Sequence, residues 1–250
     1  MNVSDKLSFV STLHRAPYPA IDPRRPSSSA AGKTILITGG ATGIGFAVAR
    51  NFALAGASTI VFLRVVRKPS RMQLQSSLLH FQTPNSSRRQ TSVHDSVVRS
   101  EDHVRNKRVG NLNVVNAFLD APKKEGKVIV DFTSYASYMP FPQTGPYGAS
   151  KAAFSLLMRH VQNEHPELRV YTLHPGAVWT QAAAAAGMTK DMLDWDDEDL
   201  PGQFVVWLAG QEAAFLKGRF LASHWDVTEL MARKETFELD AYLSTIGLRR

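Results

Sequence analysis

The sequence contains no cysteine, which excludes a small disulfide-stapled scaffold and a cysteine-ligated zinc site. It also lacks a long apolar run. The stretch from Ala182 to Met188 falls far short of the ~20 residues that a bilayer-spanning helix needs, and no compact apolar block follows a basic one near the N-terminus. The eight histidines show no metal-ligand spacing, so no metal is expected. The expectation is a soluble, cytoplasmic protein without membrane contact. At 250 residues and 44% hydrophobic the chain is long enough for a single domain with a sizeable core.

Acidic residues are scarce in one place. Residues 64–108 hold ten basic and three acidic side chains, a local charge of +7, against +4 for residues 1–63 and −4 for residues 109–250. A basic face invites a nucleic-acid reading. Here the basic residues are interleaved with serine and lie on no evident helix face, so no nucleic-acid partner is expected.

Outside that stretch the pattern is regular. Thr34 to Thr38 is a short β-branched run ended by glycines, Phe46 to Ala55 has helical spacing closed by Gly56, and Ser58 to Leu63 is a second strand-like run. Leu112 to Leu119 is helical, Lys127 to Phe132 is a buried strand, Tyr147 to Glu164 carries an apolar stripe at 149, 152, 153, 156, 157 and 161, and Leu168 to Leu173 is a further strand. Alternating strands and helices imply an α/β fold, a doubly wound parallel sheet with helices on both faces. Residues 1–31, with four prolines and the run Ser27-Ser28-Ser29, read as an extended arm outside the core, leaving 32–250 as the domain proper.

Two motifs carry chemistry. Thr38-Gly39-Gly40-Ala41-Thr42-Gly43-Ile44-Gly45 follows a strand and opens a helix, where glycines allow a tight turn and let a pyrophosphate approach free amides at the positive end of the helix. No Asp or Glu occurs from Ala57 to Gln75, while Arg64, Arg67 and Lys68 follow the second strand. An arginine there accommodates a ribose 2′-phosphate where a carboxylate would hold a 2′-hydroxyl, so NADP(H) is favoured over NAD(H), with Arg64 the leading contact. The second motif is Tyr147-Gly148-Ala149-Ser150-Lys151. Residues i and i+4 share a helix face, so the Lys ammonium lies near the Tyr hydroxyl and favours its anion, as proton transfer in carbonyl/alcohol redox chemistry requires.

With these motifs in place the chain resembles the short-chain dehydrogenase/reductase family, which has a single-domain Rossmann fold. The resemblance rests on four ordered features: the glycine loop, Ser134 at the end of a strand and thirteen positions before Tyr147, the Tyr147/Lys151 pair, and His174-Pro175-Gly176-Ala177-Val178-Trp179-Thr180. It implies Ser134, Tyr147 and Lys151 as catalytic residues. It implies Thr38, Gly39, Gly43, Ile44, Gly45, Tyr147, Lys151, Val178 and Thr180 as cofactor contacts, a small carbonyl or alcohol substrate, and a homodimer or homotetramer. Gly218-Arg219-Phe220-Leu221, Trp225-Asp226-Val227 and Tyr18-Pro19-Ala20-Ile21-Asp22-Pro23 resemble fungal reductases of specialised metabolism. By resemblance the acidic run Asp194 to Asp199 belongs to a substrate loop, but for any single one of its residues a solvated acidic turn is the favoured reading. Tyr135, Tyr138, Met139 and Trp179 are expected around an apolar pocket.

Residues 64–108 depart from the family. They contain neither the third-strand Asp nor the Asn-Asn-Ala-Gly turn, and 45 residues are too few for two strand-helix units of roughly 30 each. Either the segment is a diverged lid over an incomplete sheet, or it is foreign to the fold and replaces the central strands. The second is favoured, because unpaired interior strand edges cost a few kcal/mol each against a total stability of about 5–15 kcal/mol. It makes this chain marginal or inactive and leaves, as the alternative function, a catalytically degraded relative that binds nucleotide or a partner without turnover.

Overall fold

The computed structural model describes residues 9–63, 110–122 and 125–245. The proposed incomplete strands and the basic segment at 64–108, Arg64 included, lie outside the described residues.

Strand β1 (Thr34–Thr38) runs into helix α1 (Gly43–Leu54), which returns to β2 (Thr59–Leu63); β1 and β2 pair in parallel, with Leu36 opposite Val61. Helix α2 spans 110–120, followed by β3 (Val128–Phe132), α3 (Gly145–Glu164), β4 (Arg169–His174), the short α4 (Gln181–Ala185), α5 (Asp199–Leu208), β5 (Phe220–Ala222), α6 (Val227–Ala232) and α7 (Lys234–Leu239). Strands β3, β4 and β5 form a second parallel sheet in that order. Among the described residues no strand hydrogen-bonds β1 to β3. The two halves meet instead through α1 and α5, where a Cβ on Gly202 would come within 3.0 Å of the Ala47 carbonyl oxygen. Asp199 closes that contact by pairing with Arg50 at 2.7 Å and accepting from Asn51 at 2.6 Å.

The helices end where the sequence predicts. Gly56, at φ 78°, follows α1 and takes the left-handed conformation that closes many helices, and Pro146 sits in the first turn of α3, where a missing N–H costs nothing. One stop is not legible from pattern alone. Lys127 is buried and its ammonium donates to the carbonyls of Phe118, Leu119 and Ala121 at 2.7–2.9 Å, a cation on the negative end of α2.

Two expectations are corrected. Residues 9–30 are not a loose arm: Ile21 is fully buried, Val10 and Ala30 join the core, and Phe9 packs edge-on to Trp225 with ring centroids 5.4 Å apart. Apolar anchors at long intervals, not an apolar period, hold the segment down, which is why its composition hides the packing. The buried side of α3 is the line Gly148, Ser155, Met158 and Val161, whereas Leu156 from the predicted stripe is half-exposed. Gly148 and Ser155 occupy the first half of that line, and Met158 and Val161 in the second half pack with Leu168 and Val170.

Candidate active site

Ser134 leaves the end of β3 in extended conformation and caps a single helical turn, Tyr135–Ser137, by accepting from the Ala136 N–H. Helix α3 begins directly against that turn. A Cβ on Gly148 would stand 2.2 Å from the Ala136 carbonyl oxygen, so the close approach requires glycine at this position, and it delivers Tyr147 to Ser134. Ser134 lies near enough to Tyr147 to favour its anion.

Lys151 stands one turn further along α3, its Nζ 5.9 Å from the centre of the Tyr147 ring, near the limit of a cation–π contact. The ammonium donates to the Phe132 carbonyl oxygen and faces the Asp131 carboxylate. Burial pushes the Tyr147 hydroxyl above its usual 10.0, the neighbouring Ser134 side chain lowers it, and the Asp131 charge raises it. The cation is drawn to a carbonyl and a carboxylate beneath the helix, because both lie on the face that α3 turns toward β3.

Asp131 itself was not singled out from sequence. Ser155 donates to it at 3.3 Å and to Thr133 at 2.8 Å. Burial lifts its pKa from 3.8 to about 6, with Lys151 and Ser155 opposing. A polar residue in an apolar strand run, three positions before the Ser, was the available signal.

The glycine loop has the conformation that its sequence predicts. Gly39 and Gly43 adopt φ 68° and 55°, and a Cβ on Gly45 would meet the Gly39 carbonyl oxygen at 2.5 Å. Thr38 ends β1, and Ile44 in the first turn of α1 packs on the core. These residues leave a bare backbone cradle at the start of a twelve-residue helix, which fits a pyrophosphate. Thr180 closes on it: its methyl carbon lies where a Cβ on Gly43 would come within 3.1 Å. Its hydroxyl accepts from the Ala183 N–H at 3.1 Å. Val178 is buried beside it. Thr38, Gly39, Gly43, Ile44 and Gly45 are thus joined to Thr180 across the α1 N-terminus, and Ser134, Tyr147 and Lys151 form the second group.

Other expectations change. Tyr135 and Tyr138 do not line an open pocket: their rings pack on Phe220 and on each other, and Tyr135 bonds His224 at 3.0 Å. His174 lies 4.1 Å from the Tyr135 ring, and burial beside His224 drives its pKa to about 3, so it stays neutral. Trp179 stacks edge-on with Trp195 at 5.0 Å. The acidic run is not a solvated turn throughout, since Asp199 pairs with Arg50 and Asp196 accepts from the Ala177 N–H at 2.7 Å.

The short chain dehydrogenase family model matches residues 95–191. A short chain dehydrogenase/reductase of Claviceps purpurea is 34% identical over 274 aligned positions, covering 95% of this chain and 93% of the relative. The Aspergillus novofumigatus protein nsrO, of the same description, is 33% identical over 87% and 89% of the two chains. The Claviceps alignment has more positions than this chain has residues, so the relative carries residues that this chain lacks. Among solved structures, the Pseudomonas aeruginosa RhlG/NADP active-site complex aligns with TM-score 0.58 at 16% identity over 79% of this chain and 97% of that one. A Shigella flexneri short chain dehydrogenase complexed with NADP gives TM-score 0.57 at 18% identity over 79% and 99%. These likenesses establish an α/β Rossmann fold.

Proposed function

This chain belongs to the short-chain dehydrogenase/reductase family, and on that premise we propose that it is an NADP(H)-dependent oxidoreductase acting on a carbonyl or alcohol carbon of a small molecule in fungal specialised metabolism. The observation that carries the reading is the Gly148 contact, which seats the start of α3 against the turn that Ser134 caps and so brings Tyr147 beside Ser134. Two hydroxyls on one side of a substrate oxygen suffice to hold it and to move its proton.

Tyr147 donates its proton to the carbonyl oxygen during reduction. Ser134 orients the same oxygen. Lys151 replaces part of the negative potential of Asp131 with positive charge as the tyrosinate forms, and holds the nicotinamide ribose. Thr38, Gly39, Gly43, Ile44 and Gly45 bind the pyrophosphate through backbone amides, and Val178 and Thr180 hold the nicotinamide end. A bound nicotinamide supplies the two-electron reduction of the substrate carbon. The preference for NADP(H) rests on the arginines after β2 and on the absence of a carboxylate there. NADP in two solved relatives is compatible with it. The described residues contain no helix long and apolar enough to cross a membrane. Pairing of α2 and α3 with a second copy, through the half-exposed Leu156, is the proposed dimer contact, and a cytoplasmic location is the proposed setting.

A second reading is a degraded relative that binds nucleotide without turnover. The residues that the Claviceps relative has and this chain lacks favour it. Tyr147→Phe decides the first reading: NADPH oxidation across a carbonyl panel should fall by at least about 10²-fold while NADPH affinity, read by fluorescence, stays the same. Unchanged turnover rejects the assignment. Thermal stabilisation by NADPH with no oxidation of it by the unaltered chain selects the second.

A further inference from the structure

We propose that Arg15 and Asp196 form a positioning pair that holds the Pro175-Gly176-Ala177 turn, and with it Val178 and Thr180, against the glycine loop. The function of the pair rests on the cofactor reading above; its geometry does not.

The N-terminal segment approaches this turn from a fixed base. Leu13 makes an antiparallel bridge to Trp225, the His14 N–H donates to the His224 carbonyl at 2.7 Å, and the His14 ring meets Asp226 at 2.8 Å. Ser11 and Thr12 give their N–H groups to the Glu229 carboxylate at 2.6 and 2.9 Å. The Tyr18 hydroxyl donates to the Trp225 carbonyl and accepts from the Val227 N–H, each at 3.0 Å. Arg15 lies between these anchors, so its backbone is set by the β5–α6 connection.

From there Arg15 reaches across. Its Nε donates to Asp196 at 3.0 Å, a terminal nitrogen reaches Asp194 at 3.3 Å, and its own carbonyl accepts from the Asp197 N–H at 2.8 Å. Asp196 uses its other carboxylate oxygen for the Ala177 N–H at 2.7 Å, while its backbone N–H donates to the Ala177 carbonyl at 2.7 Å. Val178 and Asp196 form a parallel bridge. The Asp196 carboxylate sits so close over the turn that a Cβ on Gly176 would come 2.5 Å from it. Two residues beyond Val178, the Thr180 methyl faces Gly43.

One carboxylate therefore joins the N-terminal segment to the turn that carries the nicotinamide-side residues. The Asp196 side chain is 10% exposed and that of Arg15 50%. Removing the guanidinium strips a nearly buried carboxylate of its cation, and the cheapest relief is for residues 194–196 to swing toward water and release the Ala177 N–H. Folding itself changes little, because Arg15 is half-exposed.

NADPH binding and trypsin cleavage after the exposed Lys190 test the pair. Arg15→Gln should weaken NADPH binding about tenfold, speed cleavage after Lys190 several-fold, and leave the unfolding midpoint nearly unchanged. In turnover, KM for NADPH rises with kcat held within about twofold. Arg15→Lys restores most of the affinity, Arg24→Gln on the same segment changes neither readout, and Asp196→Asn adds little in the Arg15→Gln background. Wild-type NADPH affinity and wild-type cleavage in Arg15→Gln overturn the proposal. If the unaltered chain fails to bind NADPH, the cofactor reading falls; cleavage after Lys190 then decides the clamp alone, with an unchanged rate refuting it.

Discussion

Replacing Asp131 by Asn tests the electrostatics beneath α3. The carboxyl lies on β3 facing Ser155 and Lys151, and burial lifts its pKa from 3.8 to about 6. A carboxyl with a higher pKa folded than unfolded holds its proton more tightly in the native state. Its cost to the fold is absent below the unfolded pKa of 3.8, grows as pH rises, and is complete above the folded pKa of about 6. The gap between those values corresponds to about 3 kcal/mol. Urea unfolding followed by tryptophan fluorescence, at intervals from about pH 4 to pH 8, should show the unaltered protein losing about 3 kcal/mol relative to Asp131→Asn over that window. Because the Asp131 charge also raises Tyr147, the Asn variant should carry the alkaline limb of alcohol oxidation to lower pH. Parallel stability curves for the two proteins would refute the argument, since a solvated carboxylate is the one arrangement that produces them.

Three further substitutions probe the packing that sets the site. Gly148→Ala places a methyl 2.2 Å from the Ala136 carbonyl oxygen; the expected loss is about 1–3 kcal/mol in chemical unfolding, with turnover falling further than stability as Tyr147 leaves Ser134. Gly45→Ala, 2.5 Å from the Gly39 carbonyl oxygen, opens the loop and should weaken NADPH binding at least about tenfold while kcat at saturation changes little. Tyr18→Phe leaves the buried Val227 N–H without its acceptor, and thermal or urea unfolding should register a loss of about 1–3 kcal/mol; a neutral result would show that this hydrogen bond contributes nothing to the fold.

Much of the architecture was legible because it is written in local periods. The β-branched run at Thr34–Thr38, the glycine loop after it and the Tyr147/Lys151 spacing each express a backbone or helix-face requirement within a few residues, and the elements appear within a residue or three of their expected ends. The fate of residues 9–30 was not legible. Proline and serine composition reports what a segment disfavours locally, whereas Tyr18 is held by Trp225 and Val227, some two hundred positions away, and Ile21 and Val10 are buried beside it in the chain. The acidic run from Asp194 to Asp199 misled for the same reason. Its charges look solvated until Arg15, Arg50 and the Ala177 amide arrive from three other parts of the chain.

The sequence by itself determined the residue types available: a strand-loop-helix start with glycines in the turn, and a Ser, a Tyr and a Lys in family order. Those are local facts of residue type and spacing, and no tertiary contact is needed to state them. Only the tertiary structure decided how the groups act on one another. It placed Asp131 near Lys151, set that cation on the Phe132 carbonyl, and fastened the Pro175-Gly176 turn through Asp196 to Arg15. Charge interactions depend on burial and distance through space, and neither is encoded by position along the chain.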